Sequence, residues 1–205
     1  MKGLFSRYGV VGAITAALSF AVTSGAPAQA ALISTTTCDS SALTQPFAPW
    51  GDTNVYKAVP GGSFEGGATG WTLSGGASVA AGSEPFAATG SLGSSSLNLP
   101  AGASAQTPYT CVNAAYPTIR FFGRNNGLLS TVLVQVVYKG LLGILPIPVG
   151  TVALSGTWQP TLPMLTASAI PGLLSGGTTQ VALRFTSLTG RSQIDDVFVD
   201  PRMMH

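Results

Sequence analysis

Thr131-Val132-Leu133-Val134-Gln135-Val136-Val137-Tyr138-Lys139 carries the strongest periodic signal in the chain. Val132, Val134 and Val136 recur on one side, Leu133, Gln135 and Val137 on the other, and a run apolar on both sides suits a central strand. Gln180 to Thr186 repeats the pattern with a wetter second side, Val181, Leu183 and Phe185 alternating with Ala182, Arg184 and Thr186. Outward from these two, β-type runs cover Gly70 to Leu73, Ala77 to Ala80, Ser94 to Leu99, Ser104 to Val112, Thr118 to Arg124, Val149 to Leu154, Thr157 to Leu165 and Gln193 to Asp200. Turn signals separate them, among them Pro60-Gly61-Gly62, Ser74-Gly75-Gly76, Asn125-Asn126-Gly127 and Thr189-Gly190. About eight strands at this spacing predict an all-β chain, an antiparallel β-sandwich. Pro160 and Pro163 confine the run from Thr157 to an edge.

Composition agrees. Only 8% of the 205 residues are charged, against 45% hydrophobic, 26 Gly and 14 Pro, which excludes long-helix folds whose wet faces need Glu, Lys and Arg. Two stretches stand apart from the strand pattern. Leu141 to Val149 is almost wholly apolar, yet Gly143, Pro146 and Pro148 exclude a spanning helix, so a hairpin or long loop folded onto the sandwich is expected. Ala167 to Leu174 is expected to hold one helical turn, limited by Pro171.

The first thirty residues read as an address. Lys2 and Arg7 precede an interrupted apolar run from Tyr8 to Val22, and Ala28-Gln29-Ala30 supplies a small-residue cleavage point. A membrane anchor would need about 20 continuous apolar residues. The expected organisation is therefore a signal peptide over 1–30, an N-terminal arm over 31–59 and a β-sandwich domain over 60–205, in a secreted or extracellular protein of the cell envelope. Losing Lys2 and Arg7 leaves seven basic residues against seven acidic ones, scattered without a run, so no nucleic-acid partner is expected. Nor is a transmembrane segment expected in the mature chain.

Cys38 and Cys111 are the two cysteines, and both lie in the exported part, where an even pair is expected to form one disulfide. Closing so long a loop is worth roughly 4 kcal/mol in the chain-entropy model. The one histidine is His205, at the end of the chain, so neither a Cys-His nor a Ser-His-Asp arrangement has well-anchored members. Glu65 with Glu84 is the carboxylate pair a glycosidase would use, and nothing around either suggests acid/base tuning. No phosphate loop, zinc spacing or nucleotide fingerprint is present. The chain is not expected to be an enzyme.

Gly61-Gly62-Ser63-Phe64-Glu65, followed by Gly70-Trp71, opens the domain, and Gln193-Ile194-Asp195-Asp196-Val197-Phe198-Val199 closes it. Between them stand Phe121-Phe122-Gly123-Arg124 and Thr157-Trp158-Gln159-Pro160. In order and spacing these pieces resemble the carbohydrate-binding modules with a galactose-binding-like jelly roll. The resemblance covers about Pro60 to Asp200; Pro60 departs from it, as does the arm with its cysteine. It implies a jelly roll, a non-catalytic module that binds glycan or cell-wall polysaccharide, and a structural calcium (Ca2+) on Glu65 and Asp195.

Calcium takes about six to eight oxygens, and a Gly-rich turn can turn carbonyls inward while the two carboxylates add charge. The alternative is that Glu65 accepts backbone N–H bonds and the two aspartates are solvated. Adjacent strand positions face opposite sides, so Asp195 rather than Asp196 is assigned to the ion. Phe64, Trp71, Phe121 and Trp158 lie inside strand patterns and are assigned to the core. Trp50, Tyr56, Phe86, Tyr109 and Tyr116, in loops or on the arm, are the candidate sugar-stacking residues. A second reading is a structural or adhesive envelope protein without sugar affinity, suggested by low charge and the apolar Leu141 to Val149 segment.

Overall fold

A computed structural model describes residues 42–113, 118–140, 143–165 and 178–200. Its strands, in chain order, are β1 (Lys57–Ala58), β2 (Thr72–Ser74), β3 (Ser78–Ala81), β4 (Ser95–Leu99), β5 (Ser104–Gln106), β6 (Thr110–Asn113), β7 (Thr118–Asn125), β8 (Ser130–Gly140), β9 (Gly143–Leu154), β10 (Gln159–Pro160), β11 (Met164–Leu165), β12 (Thr178–Thr189) and β13 (Ser192–Asp200). They form two antiparallel sheets. One runs β10-β7-β13-β4-β3 with β1 on β13 and β11 on β7; the other runs β2-β5-β12-β8-β9 with β6 on β12. The fold is the expected all-β sandwich of jelly-roll type.

The ten runs read from the sequence become thirteen strands among the described residues because proline divides two of them and the arm adds β1. Pro108, with no N–H to give, separates β5 from β6, and the stretch around Pro163 separates β10 from β11. Both β10 and β11 pair with β7, at the edge where Pro160 is tolerated.

Alternation places the core. Val132, Val134 and Val136 of β8 and Val181, Leu183 and Phe185 of β12 are buried against Leu97, Leu99, Ile119, Phe121, Ile194 and Val197 of the facing sheet. Phe64, Trp71 and Phe121 belong to this core, as read from their strand context. The apolar segment after β8 is the return strand of a hairpin: β9 runs back along β8 from Gly143 opposite Gly140 to Leu154 opposite Ser130. It ends the sheet, an edge position that accepts Pro146 and Pro148.

The arm is built into the fold. Phe47 and Tyr56 are fully buried, and with Phe122, Trp158 and Phe198 they form a second small core on the outer side of the seven-stranded sheet. A bridge joins Thr44 to Tyr56, and β1 pairs with β13. Asp52 Oδ2 accepts Arg120 Nη1 at 2.6 Å, and the Arg120 guanidinium lies 4.0 Å from the centre of the Phe47 ring. Packing and this ion pair hold the described part of the arm. The signal peptide, Cys38 and hence the expected Cys38–Cys111 disulfide, Tyr116 and the expected turn at 167–174 lie outside the described residues.

Candidate functional site

The opening turn and the closing strand meet. Val59 N–H donates to Val197 O at 2.9 Å, and Val197 N–H returns a bond to Gly62 O at 3.2 Å. A Cβ on Gly62 would stand 3.0 Å from Val59 O and 3.1 Å from Val197 O, which is why glycine occupies this position. The Trp71 indole donates to Pro60 O at 3.0 Å, fastening the turn from its other end.

Four carboxylates gather beside this seam. Asp195 Oδ2 accepts Ser83 Oγ at 2.6 Å and Glu84 N–H at 2.9 Å, while Oδ1 accepts Asp196 N–H at 2.9 Å. Glu65 accepts Ser94 N–H, Ser94 Oγ and Ser95 N–H, each at 2.8 Å. The two groups touch at Gly93, where an added Cβ would come within 2.6 Å of both Glu65 Oε1 and Ser83 Oγ. Glu84, Asp195 and Asp196 are all buried.

Alternation would send the two aspartates to opposite faces, but β13 bulges against β7 between Asp195 and Phe198, and Asp196 takes a left-handed φ of 44°. Asp195 and Asp196 are thereby brought into one electrostatic neighbourhood with Glu84. The strict alternation expected to separate the two side chains is thus interrupted at Asp196.

Burial pushes Asp195 up to about 6, against the pull of its three donors, and it pushes Asp196, with Asp195 beside it, up to about 8. Glu65 is held below the ordinary carboxylate range by the Ser94 and Ser95 donors. Buried negative charge of this kind suits a divalent cation in sign and in oxygen chemistry. Among the described residues, no three His, Cys, Asp or Glu side chains are disposed to hold a metal on their own, so backbone oxygens or water would have to complete any coordination shell.

Glu84 connects this cluster to the surface. Its carboxylate accepts the N–H of Phe86 and, at 2.9 Å, that of Ala88, closing a turn in which Ala87 takes a left-handed φ of 55°. The turn presents Phe86, 42% exposed, edge-on to Trp50, 36% exposed, with ring centres 5.0 Å apart. Both rings rest on Phe122, at 5.4 and 5.6 Å. The sequence signal for this arrangement is the order Glu84-Pro85-Phe86: the first donor after Glu84 is missing, so the carboxylate reaches those further on.

Of the candidate stacking residues, Trp50 and Phe86 are thus brought together. Tyr56 is not available for stacking: its ring is fully buried beneath the arm, and its hydroxyl donates to Asp52 Oδ2 at 2.7 Å. Burial, with Asp52 adding to it, pushes its phenol up to about 12. Tyr109 stands apart from the pair, half-buried near Arg184. Trp158, assigned to the core, lies in the small core under the arm, 5.0 Å from the Arg124 guanidinium.

The chain matches no protein-family model and no curated protein. Solved structures do resemble it. The CBM22-1-GH10 modules of the Clostridium thermocellum endo-1,4-beta-D-xylanase 10B, complexed with xylohexaose, align with a TM-score of 0.50 at 16% identity over 71% of this chain and 28% of that one. The N-terminal CBM22-1-CBM22-2 tandem domain of Paenibacillus barcinonensis Xyn10C aligns with a TM-score of 0.49 at 16% identity over 70% of this chain and 44% of that one. A xylan-binding domain from CBM 22 gives 0.47 at 18% identity over 75% and 99%. The chain spans less than half of the first two structures. At this identity the likeness to the xylanase fragment speaks to fold, and there the jelly roll implied by the opening turn and closing strand is borne out.

Proposed function

We propose that the protein is a secreted, non-catalytic module that binds a polysaccharide of the cell wall or envelope, with Trp50 and Phe86 as its stacking rings. The observation that carries the reading is their position: an exposed aromatic pair, seated on Phe122 and held from below by Glu84. Aromatic faces suit the C–H side of a pyranose, and a platform fixed before the ligand arrives loses little entropy on binding. Glu84 does not serve as a catalytic acid in this reading, because its carboxylate is buried and occupied by backbone donors.

Calcium has a structural place in the same proposal. Glu65 and Asp195 would hold it, and its charge would offset the buried carboxylates of Asp195 and Asp196 beside the seam between the opening turn and β13. A Cys38–Cys111 disulfide would add a covalent tie to the arm. Glycan-array binding by the exported protein, repeated with Trp50→Ala, tests the reading: binding weakened at least tenfold by the substitution supports it, and undiminished binding refutes the assignment.

The alternative, an adhesive envelope protein, is favoured by one specific feature: Ile144 and Leu145, near the closed end of the β8–β9 hairpin, are 62% and 52% exposed. A tight protein partner lost on Ile144→Ser/Leu145→Ser, with no glycan bound, would select it.

A further inference from the structure

Charge is divided between the two sheets. Strands β2, β5, β6, β8, β9 and β12 contain Lys139 and Arg184 but neither Asp nor Glu. Every described acid lies elsewhere, on the arm (Asp52), the opening turn (Glu65), the β3–β4 loop (Glu84) or β13 (Asp195, Asp196, Asp200).

With Ala105, Val134, Val136, Leu183 and Phe185 turned into the core, alternation turns Gln106, Gln135 and Arg184 to the outer face. Register aligns them in one row: Thr72 opposite Gln106, Gln106 opposite Arg184, Arg184 opposite Gln135, and Gln135 opposite Pro148. The four polar members, on adjacent strands at a spacing of about 4.8 Å, make a track about 14 Å long that ends at Pro148.

Arg184 sits at its centre, half-buried, and donates Nε and Nη2 to Gln106 Oε1 at 3.2 and 2.8 Å. This double contact orients the guanidinium and leaves Nη1 and the Gln106 amide nitrogen without a partner among the described residues. Tyr109 lies close enough for the arginine charge to act on its phenol. The more deeply buried Arg120 guanidinium is answered by a carboxylate, Asp52, at 2.6 Å. Arg184, like the half-buried Arg124 that donates to Gln193, has a neutral hydrogen-bond partner among the described residues, so its charge is left to answer an anion from solution.

We propose that this face binds an acidic polysaccharide, with Arg184 receiving the carboxylate of a uronate residue and Gln106 and Gln135 contacting neighbouring hydroxyls. Arginine's planar fork matches a carboxylate, and a neutral pyranose would leave its charge unanswered. The inference rests on the carbohydrate reading but uses a face separate from Trp50 and Phe86.

Calorimetric titration of the exported protein with polygalacturonate oligomers and with neutral xylohexaose tests it. Polygalacturonate is expected to bind, more weakly as salt rises, and Arg184→Gln to reduce that affinity by about tenfold or more while leaving any xylohexaose affinity unchanged. Arg184→Lys, which keeps the charge and loses the fork, is expected to recover part of the binding; melting curves of both variants guard against a folding defect. Absence of polygalacturonate binding, or binding indifferent to Arg184→Gln, overturns the inference. Xylohexaose binding sensitive to Trp50→Ala would survive that outcome, whereas loss of the Trp50 effect alone would sink the assignment of Trp50 and Phe86 as stacking rings and leave this inference standing.

Discussion

Ser83 and Asp195 lie 112 positions apart in the chain and are joined by a 2.6 Å hydrogen bond from Oγ to Oδ2. Through this contact the β3–β4 loop is tied to the closing strand, and through Glu84, the next residue, the tie continues to Phe86 and Trp50. The buried acids and the exposed rings are therefore one mechanical unit, and its parts can be tested separately.

Gly93→Ala should damage the seam at its narrowest point. The new Cβ would come within 2.6 Å of Glu65 Oε1 and of Ser83 Oγ, so one of the two hydrogen-bonded groups must leave its seat. A loss of about 1–3 kcal/mol is expected in denaturant unfolding. Unchanged stability would show that the contact yields freely.

Glu84→Ala removes the acceptor of the Phe86 and Ala88 N–H groups. Stability should fall by about 1–3 kcal/mol, and glycan affinity should fall with it because Phe86 loses its support. Affinity retained in a well-folded Glu84→Ala protein would separate the acid cluster from the binding surface.

The arm depends on a buried ion pair. Asp52→Asn leaves the Arg120 guanidinium, 5% exposed, without its carboxylate, and a cost of about 3 kcal/mol is expected. Tyr56→Phe, which deletes one hydrogen bond to the same carboxylate, should cost about 1 kcal/mol and leave glycan binding intact. Equal effects of the two substitutions would mean that the pair contributes little.

The paired aspartates give a pH signature. With Asp195 raised to about 6 and Asp196 to about 8, the folded protein holds protons that the unfolded chain has released. Their contribution is complete below the unfolded value, near pH 4, and is lost as pH rises to about 8. In chelator, the melting temperature should therefore fall between about pH 5 and pH 8, and calcium added at the upper end should restore it. A chelated protein that grows more stable over that interval, or one indifferent to calcium, would contradict this account.

Much of the scaffold was legible in the sequence because period-two patterning survives in strands buried on one or both faces. Val132 to Val136 and Val181 to Phe185 lie where their alternation puts them. Gly62 and Trp71 also behave as their motif implies, since a close backbone approach and a capped turn are local demands. The rest depends on contacts that no local pattern encodes. Tyr56 reads as an exposed arm residue until Phe47 and Phe198 close over it. Asp196 joins Asp195 through a bulge that interrupts the alternation used to separate them. The acid-free sheet becomes visible only when six strands distant in sequence are placed side by side.

The most direct test of the central claim is a fluorescence titration of the protein with a neutral oligosaccharide such as xylohexaose, following Trp50, the exposed one of three tryptophans. A saturable change in emission that disappears in Trp50→Phe and weakens in Phe86→Ala is the predicted result. Binding detected by calorimetry with no change at Trp50, and undiminished by either substitution, would contradict it.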